Sequence, residues 1–314
     1  MPALRLRAFA KINLGLRILG RRADGYHEIR TTYQSITLAD QLEVRLNSRP
    51  GGIEVETDAP DVPGGPANLV YQACERWRSA RGLRRGIRVT LEKRIPAGSG
   101  LGGASSDAAA ALVALEGLTG DRLPLAARLE IASGLGSDVP FFLFGGRALG
   151  CGRGEEVYPL PDLAPGHCLI VDPGFPQATR EAYDAVDSQL TAEAGDRNIY
   201  SFGKWPQFPW DDWEAAENDF ETVVFAKWPE LGRLKRQLLR AGAEMASLTG
   251  SGTAVYAIFL SARKLAFARR LLSRTLLSRT LLPRTLRSME WRSFAARTLS
   301  RAEYRTMQRG GKLL

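Results

Sequence analysis

Pro96-Ala97-Gly98-Ser99-Gly100-Leu101-Gly102-Gly103-Ala104-Ser105-Ser106, followed by Asp107 and an alanine-rich run to Leu115, is the stretch on which the fold turns. Four glycines let backbone N–H groups point inward around an anion, because no Cβ blocks the approach or resists positive φ. The two serines are placed to cap a helix expected over residues 107–115, so that the loop ends on a helix N-terminus that favours phosphate. The same letters satisfy G-x-G-x-x-G, with Asp121 eighteen residues beyond Gly103. A dinucleotide fingerprint nevertheless fits poorly. The strand expected over residues 87–95 alternates apolar and polar side chains, as a half-exposed antiparallel strand does, whereas a dinucleotide fold needs a buried parallel strand there. Some ninety mostly strand-like residues also precede the loop. No Gly-Lys-Ser/Thr follows, which excludes a Walker loop.

Working outward, strands are expected over residues 4–16, 31–46, 52–57 and 145–160, with helices over 68–80 and 125–133 and a buried segment at 139–144. Beyond these come a strand at 168–171, helical and Trp-rich loop segments up to Asp219, a helix over 229–241, and strands at 245–247 and 254–260 around Thr249-Gly250-Ser251-Gly252-Thr253. This mixed order favours an α+β fold over a doubly wound sheet. A chain of 314 residues is long enough for two domains with separate cores.

The net charge of +9 is unevenly spread. Residues 263–314 hold 14 Lys/Arg against 2 Asp/Glu, and the rest of the chain is slightly acidic. Bulk basicity is therefore no argument for nucleic acid. No apolar run approaches the ~20 residues of a membrane span, and the arginine- and lysine-interrupted start lacks a signal-peptide core, so a cytoplasmic protein is expected. Cys74, Cys151 and Cys168, odd in number and far apart, are expected as reduced thiols rather than a disulfide framework or zinc site.

The loop resembles the phosphate loop of the GHMP kinases, Pro-x-x-x-Gly-Leu-Gly-x-x-Ser-Ser. Ala10-Lys11-Ile12-Asn13-Leu14, Ala23-Asp24-Gly25-Tyr26-His27, Gly136-Ser137-Asp138-Val139-Pro140 and the 249–253 glycine motif extend the likeness in the right order over residues 1 to about 262. Within the family they are similar to the branch that phosphorylates an alcohol of a cytidine-diphosphate-linked methylerythritol in the non-mevalonate isoprenoid pathway. The resemblance implies a two-domain GHMP kinase fold. Residues 1–161 would form a mixed-sheet domain with a left-handed crossover, residues 162–314 a ferredoxin-like domain, and the site would lie between them.

It also implies ATP, Mg²⁺ and a small-molecule substrate, with no nucleic acid, no membrane span, and a monomer or homodimer. Residues 96–106 would cradle the triphosphate, and Ser105 or Ser106 could reach the metal. Asn68 would lie near the adenine, or else serve only as a helix N-cap. Asp138 would orient the attacking hydroxyl and accept its proton late in a loose transition state; its plainer reading is a capped turn. Lys11 would stabilise the negative charge that develops beside it, although a lysine on such a strand more often faces solvent. Asn13, two residues along and on the same strand face, would meet polyol hydroxyls. Tyr26 would stack on cytosine, His27 would hydrogen-bond it and Tyr183 would close the sandwich; Tyr-His after a glycine could equally be a loop anchor.

Two rivals remain at this level: another GHMP kinase acting on mevalonate or homoserine, which should lack the Asp-Gly-Tyr-His turn, and a non-catalytic nucleic-acid binder, which should have a basic body. The tail carries three near-repeats, Leu271-Leu272-Ser273-Arg274-Thr275 and its successors to Thr285. A five-residue period suits neither helix nor strand, and Pro283 breaks a helix. The segment near residues 271–291 is expected to be an inert insertion before a last strand around 293–298, with an Arg/Leu contact to acidic lipid or a partner as the alternative.

Overall fold

A computed structural model describes residues 2–175, 177–190, 217–277 and 291–309. Two long strands, β1 (Ala3–Arg21) and β2 (His27–Pro50), form a hairpin around the turn that holds Asp24, Gly25 and Tyr26. β2 is long enough to carry β1 along one edge and two different partners in succession on the other. These are β5 (Arg147–Cys151) against residues 31–34 and β4 (Arg85–Glu92) against residues 41–50. The sheet is completed by β3 (Ile53–Thr57), parallel to β4, and by β6 (Glu156–Pro159), antiparallel to β5.

The crossover from β3 to its parallel neighbour is α1 (Leu69–Arg81). β4 alternates buried and exposed residues as expected, but only its β2 edge is antiparallel. α2 (Gly103–Thr119), α3 (Leu125–Leu135) and α4 (Val139–Phe144) pack with α1 into the core under this sheet. Ala108, Ala109, Ala110 and Ala111 are fully buried, and their small side chains let α2 lie close against its neighbours.

The second sheet runs in the order β10-β7-β9-β8, from β7 (His167–Asp172), β8 (Met245–Leu248), β9 (Val255–Phe259) and β10 (Arg292–Arg297), all antiparallel. α5 (Thr179–Leu190), α6 (Phe220–Lys227) and α7 (Pro229–Arg240) lie between β7 and β8 in the chain, and α8 (Ala262–Leu277) between β9 and β10. This is the ferredoxin-like order. A shared apolar cluster, including Ala10, Ile12 and Leu101 from the first part and Ile170, Tyr256 and Ile258 from the second, joins the two sheets.

Three expectations need correction. Ser105 and Ser106 do not cap α2. The helix begins at Gly103, four residues before the expected start, its N-cap is Gly102 at φ 72°, and no side chain caps it. The left-handed glycine turns the chain sharply enough for the helix to start without a hydroxyl cap. The first tail repeat is helical: α8 runs through Leu271 to Leu277, because Leu272 extends the buried stripe of Leu265 and Ala268 at helical spacing. The remainder of the repeat, residues 278–290, lies outside the described residues, as do the Trp-rich loops over 191–216. Finally, α9 (Arg301–Arg309) was not foreseen; its Tyr304 packs on Phe9 of β1 and covers Gly145.

Candidate active site

A cleft of about 1000 Å³ is lined by the glycine loop, the turn around Tyr26, Asp138 and α5. The loop is held from behind by backbone. Lys11 N donates to Leu101 O at 3.0 Å, and Thr249 Oγ1 donates to Gly100 O at 3.0 Å. Gly100 lies at φ +83°, and a Cβ there would overlap the carbonyl oxygen of Thr249. A Cβ on Gly252 would overlap the carbonyl of Ser99. The 249–253 motif thus buttresses the loop, glycine against glycine.

Asp138 stands just before α4, yet its carboxylate makes no capping bond. Instead Oδ2 lies 3.4 Å from Lys11 Nζ, and Oδ1 accepts from the Tyr33 hydroxyl at 3.0 Å. The capped-turn reading is thereby replaced by a carboxylate turned toward a cation and the cleft. Lys11 is 3% exposed, so the solvent-facing reading of it also falls. Its ammonium donates to Asn13 Oδ1 at 2.6 Å, while Asn13 Nδ2 donates to Thr31 Oγ1 at 2.7 Å. The Asn13 amide therefore holds Lys11 in place from the wall of the cleft. Burial, with Asp138 adding to it, pushes the Tyr33 phenol well above its ordinary range, so it stays a donor.

At the far end of the cleft Tyr26 is 53% exposed, and the Arg153 guanidinium lies 4.6 Å from its ring centroid. His27 is buried, stacked on Tyr183 at 4.4 Å and 16°, with Nε2 at 2.7 Å from Asp187 Oδ1. Tyr183 meets Phe220 edge-on at 4.8 Å. Tyr26, His27 and Tyr183 thus share one end of the cleft, although Tyr183 lies against the histidine ring.

Asn68 caps α1: Oδ1 accepts from Val70 N at 2.8 Å and Nδ2 donates to Pro63 O at 2.6 Å, while the residue still lines the cleft. Between the two serines the geometry discriminates. Ser106 is fully buried and donates to Phe9 O at 2.7 Å; Ser105 lines the cleft.

Beneath the loop sits a charged group that the sequence reading missed. Lys93 Nζ bonds both Asp40 and Asp107, the latter at 2.7 Å, and Asp40 also accepts the backbone N–H groups of Arg94 and Ile95. Desolvation pulls on the Lys93 ammonium, but Asp107 and Asp40 outweigh it and keep it charged. Burial pushes the Asp107 carboxyl up to about 8 against the pull of Lys93. The signal lay in charges spaced apart in the chain, which β2, the end of β4 and the first turns of α2 bring together. Tyr33 could have been found as the cross-strand partner of Asn13, and Asp187 by its four-residue helical spacing from Tyr183.

Comparison with known proteins identifies the family. The GHMP kinases N terminal domain matches residues 68–146, and the GHMP kinases C terminal domain residues 202–276. The chain is 46% identical over 274 residues to a 4-diphosphocytidyl-2-C-methyl-D-erythritol kinase from Solibacter usitatus, covering 85% of this chain and 84% of that protein. A namesake from Pelotomaculum thermopropionicum is 41% identical, covering 82% and 91%. A crystal structure of 4-(cytidine 5′-diphospho)-2C-methyl-D-erythritol kinase superposes with TM-score 0.68 at 32% identity, over 94% of this chain and 98% of the other. Homoserine kinase from Cytophaga hutchinsonii, at 19% identity and TM-score 0.72, shares the fold. With a lysine–aspartate pair facing a backbone-lined loop, and relatives at this level of identity over most of its length, the chain belongs to the GHMP kinase family, in the branch of the 4-diphosphocytidyl-2-C-methyl-D-erythritol kinases.

Proposed function

We propose that the enzyme transfers the γ-phosphoryl group of ATP to the 2-hydroxyl of 4-diphosphocytidyl-2-C-methyl-D-erythritol, a step in making isoprenoid precursors by the non-mevalonate route. The observation that carries this reading is that the Lys11–Asp138 pair, the glycine loop and Tyr26, His27 and Tyr183 line one cleft. Such a site spans a nucleotide triphosphate on one side and a pyrimidine on the other.

In this mechanism residues 96–106 hold the triphosphate through backbone N–H groups and the start of α2. Asn68 borders the adenine. Asp138, steadied by Lys11 and Tyr33, orients the acceptor hydroxyl and takes its proton as the new P–O bond forms. A carboxylate suffices for this, because in a loose transition state the proton leaves late. Lys11 stabilises the charge on the transferring group, and Asn13, besides aligning Lys11, borders the methylerythritol hydroxyls. Mg²⁺ fits the donor set: a hard cation that takes most of its ligands from phosphate and water needs few protein oxygens, and the Ser105 hydroxyl on the cleft would hold it. When bound it would neutralise phosphate charge. Tyr26 supplies a stacking face and His27 a polar edge for cytosine, with Tyr183 backing them.

The test is a coupled ADP-release assay. ATP alone should be hydrolysed little, and addition of the cytidylyl substrate should start turnover. Turnover on mevalonate or homoserine with none on the cytidylyl compound would refute the reading.

A further inference from the structure

We propose that Asp187, on α5, sets the tautomer of His27 and so makes the site select a pyrimidine carrying a 4-amino group over one carrying a 4-oxo group; this rests on the functional reading above. Asp187 Oδ1 lies 2.7 Å from His27 Nε2. An ionised carboxylate can only accept, so Nε2 carries the hydrogen, and in the neutral ring Nδ1 is then an acceptor. Among the described residues, no hydrogen bond engages Nδ1, although His27 is only 8% exposed and lines the cleft. The ring plane is fixed as well, by the parallel contact with Tyr183 at 4.4 Å, itself braced by Phe220. Arg21 stands 3.9 Å from Asp187 Oδ2, a cation on the outer side of the same carboxylate.

A buried acceptor on a residue that lines the proposed pyrimidine site asks for a donor. Cytosine offers one in its 4-amino group. Uracil presents the O4 carbonyl at the same place, and two lone pairs would then face each other without a proton between them. A site built to pair one hydrogen-bonding pattern rejects the mismatched isostere strongly, because its own buried polar atom is left unpaired. Asp187 touches no substrate in this scheme. It is a positioning residue that acts through the histidine.

The test compares kcat/KM for the cytidine-diphosphate-linked substrate and its uridine analogue at about pH 8, where an ordinary imidazole is neutral. The wild type should prefer the cytidine compound by about tenfold or more. Asp187→Ala should shrink that ratio to within about threefold, with the change falling on KM for the pyrimidine substrate and not on KM for ATP. Asp187→Asn, whose amide oxygen still accepts from Nε2–H, should keep part of the preference, which loss of packing alone would not produce.

A second readout needs no substrate. The chain has two histidines, so long-range ¹H–¹⁵N spectra of a His167→Gln protein report the imidazole of His27 alone. Nε2 should bear the proton, and Asp187→Ala should shift the ring toward a mixture of tautomers. A proton on Nδ1 in the otherwise wild-type protein, or an unchanged cytidine-to-uridine ratio in Asp187→Ala, overturns the proposal. A wild type that turns over neither pyrimidine compound refutes the functional reading and the selectivity with it, while the spectra decide the Asp187–His27 tautomer separately.

Discussion

Asp138 makes its case by what its side chain declines to do. Placed where a capping carboxylate would normally turn back on its helix, it reaches Lys11 and Tyr33 instead. Asp138→Asn keeps that shape and removes the charge to which the proposed mechanism gives the orienting and accepting role; kcat should fall by about 10²-fold or more, with KM for ATP nearly unchanged, in steady-state assays. A near-wild-type kcat would place the base elsewhere. The Asp107 carboxyl gives a pH signature. Its folded-state pKa of about 8 lies above the ordinary value near ~4, so the folded protein binds more protons between those limits. Its contribution to stability is present below about pH 4 and is lost as pH rises toward about 8, by up to roughly 1.4 kcal/mol per pH unit. Asp107→Asn, permanently neutral, should therefore gain Tm relative to wild type as pH is raised from about 5 to about 8; parallel Tm curves would contradict this. Lys11, Asn13, Tyr26, His27 and Asp138 could be picked out in the sequence because each sits in a short contiguous motif. Lys93, Asp40 and Asp107 could not, since they come from three elements and each alone reads as an ordinary surface charge.

At the scale of elements, strands and helices with clear periodicity stood where expected, and the departures have local causes. The start of α2 was misjudged because serine is a strong capping residue and a left-handed glycine cap leaves no comparable mark. The first tail repeat joined α8 because Leu272 alone of its pair continues a buried stripe whose preceding turns are already in phase. α9 was overlooked because its polar sequence buries chiefly Tyr304 and Gln308. The glycine loop is the element most exposed to single changes. Gly100→Ala must bear both a left-handed φ, about 1–2 kcal/mol, and overlap with Thr249, about 1–3 kcal/mol. Thermal unfolding should show the loss as a lowered Tm, and KM for ATP should rise. Wild-type values of both would mean that the loop has slack.

For the whole molecule, the two-sheet plan followed from the order of elements, but the backbone joints that add to the apolar cluster between the sheets did not, because no side-chain pattern marks them. Residues 217–219 run against β1: Leu16 N donates to Glu217 O at 2.9 Å and Asp219 N to Leu16 O at 3.0 Å. Asp219 adds side-chain bonds, accepting from Ile18 N at 2.8 Å and from Arg17 at 3.0 Å. Asp219→Ala should cost about 1–3 kcal/mol, read by denaturant unfolding. Because β1 leads to His27 while Tyr183 and Asp187 lie on α5, KM for the pyrimidine substrate should rise more than KM for ATP. An equal rise in both would assign Asp219 a purely structural part.

The meeting of Gly100 with Thr249 and of Gly252 with Ser99 carries one more implication, for divergence. Apart from the Thr249 hydroxyl on Gly100 O, this joint is main chain against main chain and stores little side-chain identity; what it asks above all is that two Cβ atoms be missing. The surfaces on either side can then drift in sequence without compensating changes across the seam. The alignment of the glycine loop to its neighbouring sheet becomes a fixed dimension, like the bore of a fitting, beside which different cleft walls can be set. Homoserine kinase from Cytophaga hutchinsonii, at 19% identity, shares the overall fold. Grafting the acceptor-side wall of one such kinase onto another is thus a problem of side chains in the cleft, with the seam left untouched.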